Sequence, residues 1–189
     1  MSSKKFLIGL FGPAITILLI LLDIRMSAYF SWYTNSLSSL GIHRYYYIFD
    51  AAVIIGGISV FIFALMLYRQ IQIKFLSIGF IMLGSVSLFL IGIFNENYGN
   101  LHLAIAIIYF IFTPVGIIIF SFYRIRNYLS YYGFFAGVAS LGTIIFGILV
   151  LFEYIHLKIG LSVTEMAEAV LLGSWSSILG VYLSTHEAQ

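Results

Sequence analysis

Residues 92–106 read Gly92-Ile93-Phe94-Asn95-Glu96-Asn97-Tyr98-Gly99-Asn100-Leu101-His102-Leu103-Ala104-Ile105-Ala106, a short polar break between two long apolar runs. The flanking runs, about residues 75–94 and 101–123, each approach the ~20 apolar residues that a bilayer core demands. So short a break cannot hold a soluble segment. It reads as a tight turn between two membrane-crossing helices, and it places Asn95, Glu96, Asn97 and His102 at one membrane face. Composition agrees: of 189 residues 62% are hydrophobic and 8% charged, with mean hydropathy +1.08, against roughly 45–50% and ~25% in soluble domains.

Working outward, the same reading yields four more spans, at about residues 6–22, 45–68, 129–152 and 165–184. The expected fold is an all-α bundle of six transmembrane helices forming a single domain. Lys4 and Lys5 before the first run have the look of a signal peptide, but Met26-Ser27-Ala28 is a poor cleavage site and the chain continues in the same apolar style. Gly12-Pro13 falls in the first two turns of span one. A kink is tolerated there because neighbouring helices can satisfy the freed carbonyl. The connection at residues 23–44 is the longest and carries Tyr29, Phe30, Trp32 and Tyr33, followed by Tyr45, Tyr46 and Tyr47. Such rings settle at headgroup level, so this connection is expected to lie along the surface, over the helix ends.

Orientation follows from the basic residues. Lys4, Lys5, Arg69, Lys74, Arg124 and Arg126 fall on one side, against Arg25, Arg44 and Lys158 on the other. The richer side is cytoplasmic, which puts both termini there. Asp23, Asp50, Glu96, Glu153, Glu165 and Glu168 gather toward the opposite, extracytoplasmic ends, as do His43, His102 and His156.

Several function classes drop out. A net charge of +2 without a basic stripe excludes nucleic acid as a partner. Zero cysteines exclude disulfides and thiolate metal sites. No span carries a lysine for a retinal Schiff base, and no second histidine shares the depth of His102 for a haem. Ser59 is too deep in span two to meet His102 as a hydrolase pair.

The chemically capable residues are then few. His102 opens span four, six residues after Glu96. Asp50 lies more than a turn inside span two, where a carboxylate is costly in lipid and must face the bundle. Ser162-Val163-Thr164-Glu165 reads as a capping box for span six. Glu168, one turn deeper on the same face, has no such structural explanation. Glu153, His156 and Lys158 read as a solvated loop. Gly133 and Gly137 on span five, and Gly173 with Ser177 on span six, have the spacing of close helix approach. They are read first as contacts within one protomer, with a homo-dimer through Gly133 and Gly137 as the alternative.

Leu37-Ser38-Ser39-Leu40-Gly41, Phe49-Asp50, Gly92-Ile93-Phe94-Asn95-Glu96 with His102, and Thr164-Glu165 with Trp175 together resemble the prokaryotic six-helix membrane family labelled domain of unknown function 998. They are distantly similar to the damage-regulated autophagy modulators. The resemblance covers nearly the whole chain and implies six spans with a shared outer-face polar motif, but no activity. Two positions depart from the pattern: Ser39 stands where an Asp is common and Asp50 where an Asn is common.

The expectation is a polar pocket at the outer face lined by Ser38, Asp50, Glu96, His102 and Glu168. It would bind a lipid headgroup, small molecule or ion without catalysis. One alternative is an intramembrane lipid hydrolase in which His102, Asp50, Glu96 and Glu168 hold a metal. Another is a structural subunit of a larger membrane complex. No cofactor is named by the sequence, and membrane lipids are the expected partners.

Overall fold

The computed structural model describes residues 3–71, 75–123, 128–152, 154 and 159–185. Six helices carry the chain: α1 (Ile8–Met26), α2 (Tyr46–Ile71), α3 (Phe75–Ile91), α4 (Asn100–Tyr123), α5 (Tyr128–Leu151) and α6 (Leu161–Thr185). Five lie in segments long and apolar enough to cross a membrane, and α3, with 17 residues, is a shorter apolar helix. At 1.5 Å per residue α3 rises about 26 Å, a little less than a ~30 Å hydrocarbon core. Three short 3-10 turns complete the described structure, at Ser3–Leu7, Ser38–Ile42 and Glu96–Tyr98.

Each helix packs against its sequence neighbours, and α6 returns to pack against α1. The result is an antiparallel ring in sequential order. Phe6, just before α1, lies against Gly180 near the end of α6, so both ends of the chain meet at one end of the ring. Lys4, Lys5 and Arg69 belong to that basic end. Lys74, Arg124, Arg126, Glu153, His156, Lys158 and His186 lie outside the described residues.

Small residues set how closely the ring closes, as expected where lipid removes the hydrophobic drive between helices. A Cβ on Gly133 would stand 2.4 Å from Ser121 Oγ and 2.9 Å from Trp175 Nε1, and one on Gly137 would stand 2.5 Å from Ile118 Cγ1. The close-approach face of α5 is therefore taken by α4 and α6 of the same chain. The α1–α6 seam has a different cause. Pro13 has no N–H, so the Gly9 carbonyl loses its intrahelical donor. Ser176 and Ser177 of α6 supply the replacement, their hydroxyls 3.1 and 3.3 Å from Gly9 O.

Two apolar clusters fill the ring at different depths. Toward the basic end, Trp175 stands edge-on to Phe63 and Phe120, among Phe6, Leu67 and Leu179. At the other end Ile20, Leu37, Leu40, Phe49, Ile91 and Ile105 form the second cluster. Leu37 and Leu40 belong to the connection between α1 and α2, which folds over the ring as a lid. Its main chain is tied to the start of α6, where Gly160 N–H donates to Trp32 O (2.8 Å) and Ser162 N–H donates to Asn35 O (3.0 Å).

Candidate functional site

The polar break that opened the sequence reading becomes one wall of this lidded end. After α3 ends at Ile91, Asn95 accepts the Asn97 N–H (3.2 Å) and starts the 3-10 turn at Glu96. Gly99 closes it at φ 52°, a left-handed conformation that only glycine takes without cost. The turn carries Glu96 toward the lid. Ser36 and Ser38 both donate their hydroxyl hydrogens to Glu96 Oε1, at 2.5 and 2.6 Å. Glu165 of α6 holds the same stretch from the opposite wall, accepting the Leu37 N–H at 2.5 Å. Two carboxylates thus clamp three consecutive lid residues.

His102, in the first turn of α4, is 8% exposed, and its Nδ1 lies 2.7 Å from the Phe94 carbonyl. A carbonyl oxygen only accepts, so Nδ1 carries the hydrogen and the Nε2 lone pair of the neutral ring is left free.

Below the lid runs a cavity of about 110 Å³, lined by α1, α2, α3, α4 and α6. Ser38, His102 and Glu165 line it at the lid, and Trp175 and Ser176 line its far end. Along α6 the lining runs from Glu165 to Ser176, a rise of about 16 Å. The walls between are dominated by apolar groups, among them Ile17, Phe49, Leu88 and Leu172. Most lining hydroxyls are already engaged: Thr16 donates to Gly12 or Ala52 carbonyls, and Ser176 to Gly9 or Gly173. Thr113 Oγ1 is buried without a partner.

The five residues expected to form one pocket are placed unequally. Ser38 and Glu96 meet directly, and Ser38 and His102 line the cavity together. His102 bonds Phe94 rather than Glu96. Glu168 is 1% exposed and lies beside the cavity lining, within electrostatic range of Tyr109 and Glu165, with Oε1 unpartnered. Asp50 is elsewhere. Its Oδ1 is buried without a partner under Gly41, where a Cβ would stand 3.0 Å away. Asp50 shares that position with Asp23 of α1, which is fully buried, accepts the Ser27 hydroxyl at 3.0 Å, and faces the Phe49 backbone without closing a hydrogen bond. Among the described residues, no three histidine, aspartate or glutamate side chains come together as a group that could hold a metal ion.

Two participants escaped the sequence reading. Asp23 stood in the expected loop, but α1 continues to Met26 and carries it inside. Glu165 was assigned to a capping box, yet α6 begins at Leu161, so Ser162 already lies inside the helix and its hydroxyl reaches Trp32 O at 3.4 Å. The signal for Glu165 was in its stripe: Glu165, Ala169, Leu172, Gly173 and Ser176 fall on one helical face, and all line the cavity.

A closed ring of apolar helices, roofed at one end by an aromatic loop, defines a polytopic integral membrane protein. The chain belongs to the family described as "Protein of unknown function (DUF998)", whose model matches residues 10–182. No curated protein and no solved structure matches it.

Proposed function

We propose that this protein binds, without catalysis, one apolar chain ending in a polar group, drawn from a membrane lipid or a lipid-like small molecule, inside the helix ring at the extracytoplasmic face of the cell membrane. The shape of the cavity carries this reading. The lining runs about 16 Å along α6 between mostly apolar walls, which suits a narrow extended chain. Charged side chains are confined to the lidded end of the cavity, so an occupant would lie lengthwise with its polar end under Ser38, His102 and Glu165. The orientation is supported by Lys4, Lys5 and Arg69 at the other end of the bundle.

The two tryptophans provide the test, because Trp175 lines the far end of the cavity and Trp32 belongs to the lid. In a Trp32→Phe variant in detergent, decanol carrying a terminal bromine should quench Trp175 fluorescence saturably, and unbrominated decanol should reverse it. Ala169→Leu, which fills the cavity wall, should abolish the quenching. If quenching is linear in ligand and untouched by competitor or by Ala169→Leu, the cavity does not take a chain.

A further inference from the structure

The hydrogen-bonding groups at the mouth of the cavity constrain the polar end of the occupant, on the footing that the cavity takes a chain at all. The described side chains that line the mouth, Ser38, His102 and Glu165, each offer an acceptor. His102 spends its Nδ1 hydrogen on Phe94 O, so Nε2 presents a lone pair. Glu165 gives one oxygen to the Leu37 N–H, and its other oxygen carries no hydrogen bond among the described residues. The Ser38 hydrogen is committed to Glu96. Among the described residues, no lysine or arginine lines the cavity. Further down, the hydroxyls of Tyr109 and Thr113 line the cavity and offer no positive counter-charge.

From this inventory we infer that the cavity selects a primary amine at the end of an apolar chain, with Glu165 as counter-charge and His102 Nε2 as second acceptor. An ammonium brings three donors and no acceptor, which complements a mouth of lone pairs. A charge-assisted bond to a carboxylate is also roughly twice as strong as a neutral one. A phosphate or carboxylate head would instead place anionic oxygens against Glu165, with no lysine or arginine in the described lining to offset them. An alcohol would satisfy one acceptor and leave the others unmet.

Competition in the Trp175 quenching assay tests this directly. Decylamine, decanol, decanoate and decyl phosphate are titrated against the brominated decanol at pH 7.5. Decylamine should compete at least tenfold more tightly than decanol, and the two anions should fail. Glu165→Gln, whose amide oxygen still accepts the Leu37 N–H, should bring amine and alcohol to within about twofold. Glu165→Asp should keep the amine preference. Equal competition by amine and alcohol in the unsubstituted protein, or tighter competition by either anion, overturns the assignment of an amine while leaving chain binding intact. An absence of saturable quenching by any probe overturns both. The ranking in the unsubstituted protein decides the matter even if the Glu165 variants do not fold.

Discussion

The Gly9 carbonyl offers a sharp test of how this ring is held, because two hydroxyls compete to serve one orphaned acceptor. Ser176 and Ser177 each stand within reach of both Gly9 O and Gly173 O, at distances from 2.7 to 3.3 Å. A hydroxyl has one hydrogen, so either serine can serve Gly9 while the other bonds back to Gly173. Ser176→Ala or Ser177→Ala alone should cost about 0.6 kcal/mol, the average interhelical bond in a membrane bundle. The double variant leaves a buried carbonyl with no donor, a loss of about 1–3 kcal/mol. At about 2–4 °C per kcal/mol for a chain of this size, each single change should lower the unfolding midpoint by under about 2.5 °C, and the pair by roughly 2–12 °C. Pro13→Ala returns the missing N–H while keeping the Cβ that lies against Gly173, so it should rescue the double variant and leave the single ones nearly unchanged. The assay is thermal unfolding in detergent followed by tryptophan fluorescence. Additive single effects, or a double variant that Pro13→Ala does not rescue, would refute the account.

Other parts of the ring predict distinct outcomes. Gly133→Leu and Gly137→Leu should each destabilise the fold by about 1–3 kcal/mol or more through overpacking, with no change in oligomeric state by light scattering; a shift to monomers without destabilisation would place those glycines at a dimer interface instead. Glu96→Ala removes the acceptor shared by Ser36 and Ser38, so amide exchange at Ser39 should accelerate about tenfold if the lid opens about 1.4 kcal/mol more easily, whereas unchanged exchange would mean that the latch holds nothing. Nitrogen-15 shifts of His102 should place the neutral ring's hydrogen on Nδ1, and a hydrogen on Nε2 would remove it as an acceptor at the cavity mouth. Tyr29, in the lid, has its phenol pKa raised above 10 first by burial and then by the nearby Asp23. A folded-state pKa above the unfolded one contributes stability below pH 10 that fades as pH rises through the folded value. A Tyr29→Phe difference titration at 295 nm should therefore show ionisation above pH 10, and an ionisation at or below pH 10 would contradict this account of the phenol's surroundings.

The six helices were legible because hydropathy is a local property, and so was the fate of Gly12-Pro13: a proline inside an apolar run must leave a carbonyl free, and lipid supplies no donor. The break at residues 92–106 was legible for the same reason. Legibility failed wherever a helix end had to be located from charge. Asp23 looked like the start of a loop because an acid usually ends an apolar run, yet α1 buries it against the start of α2. Ser162 and Glu165 looked like a cap because the motif fits, yet the helix starts at Leu161 and both are used by the lid. The Ser36–Glu96 and Leu37–Glu165 bonds join residues 60 and 128 positions apart, and no local pattern anticipates them.

The cavity marks the deeper limit. Glycines and alanines in membrane helices have two opposite uses: they let backbones touch, or they leave space. Gly133 and Gly137 serve the first, since a Cβ at either meets α4 or α6 well inside contact distance. Gly56 and Gly173 also stand near a neighbour, with a Cβ falling 2.8 Å from Thr16 Oγ1 and 3.0 Å from Pro13 Cβ, yet both line the cavity together with Ala106 and Ala169. The difference lies in what faces each residue. Opposite Gly133 stand Ser121 and Trp175, which fill the gap. Between the two apolar clusters, by contrast, small residues on α2, α4 and α6 line the cavity and leave part of its centre unfilled. A void of that kind is a joint property of several helices. On the function proposed above, it serves as a binding site because the lid, held by Glu96 and Glu165, places lone pairs at one end and leaves hydrocarbon along the rest.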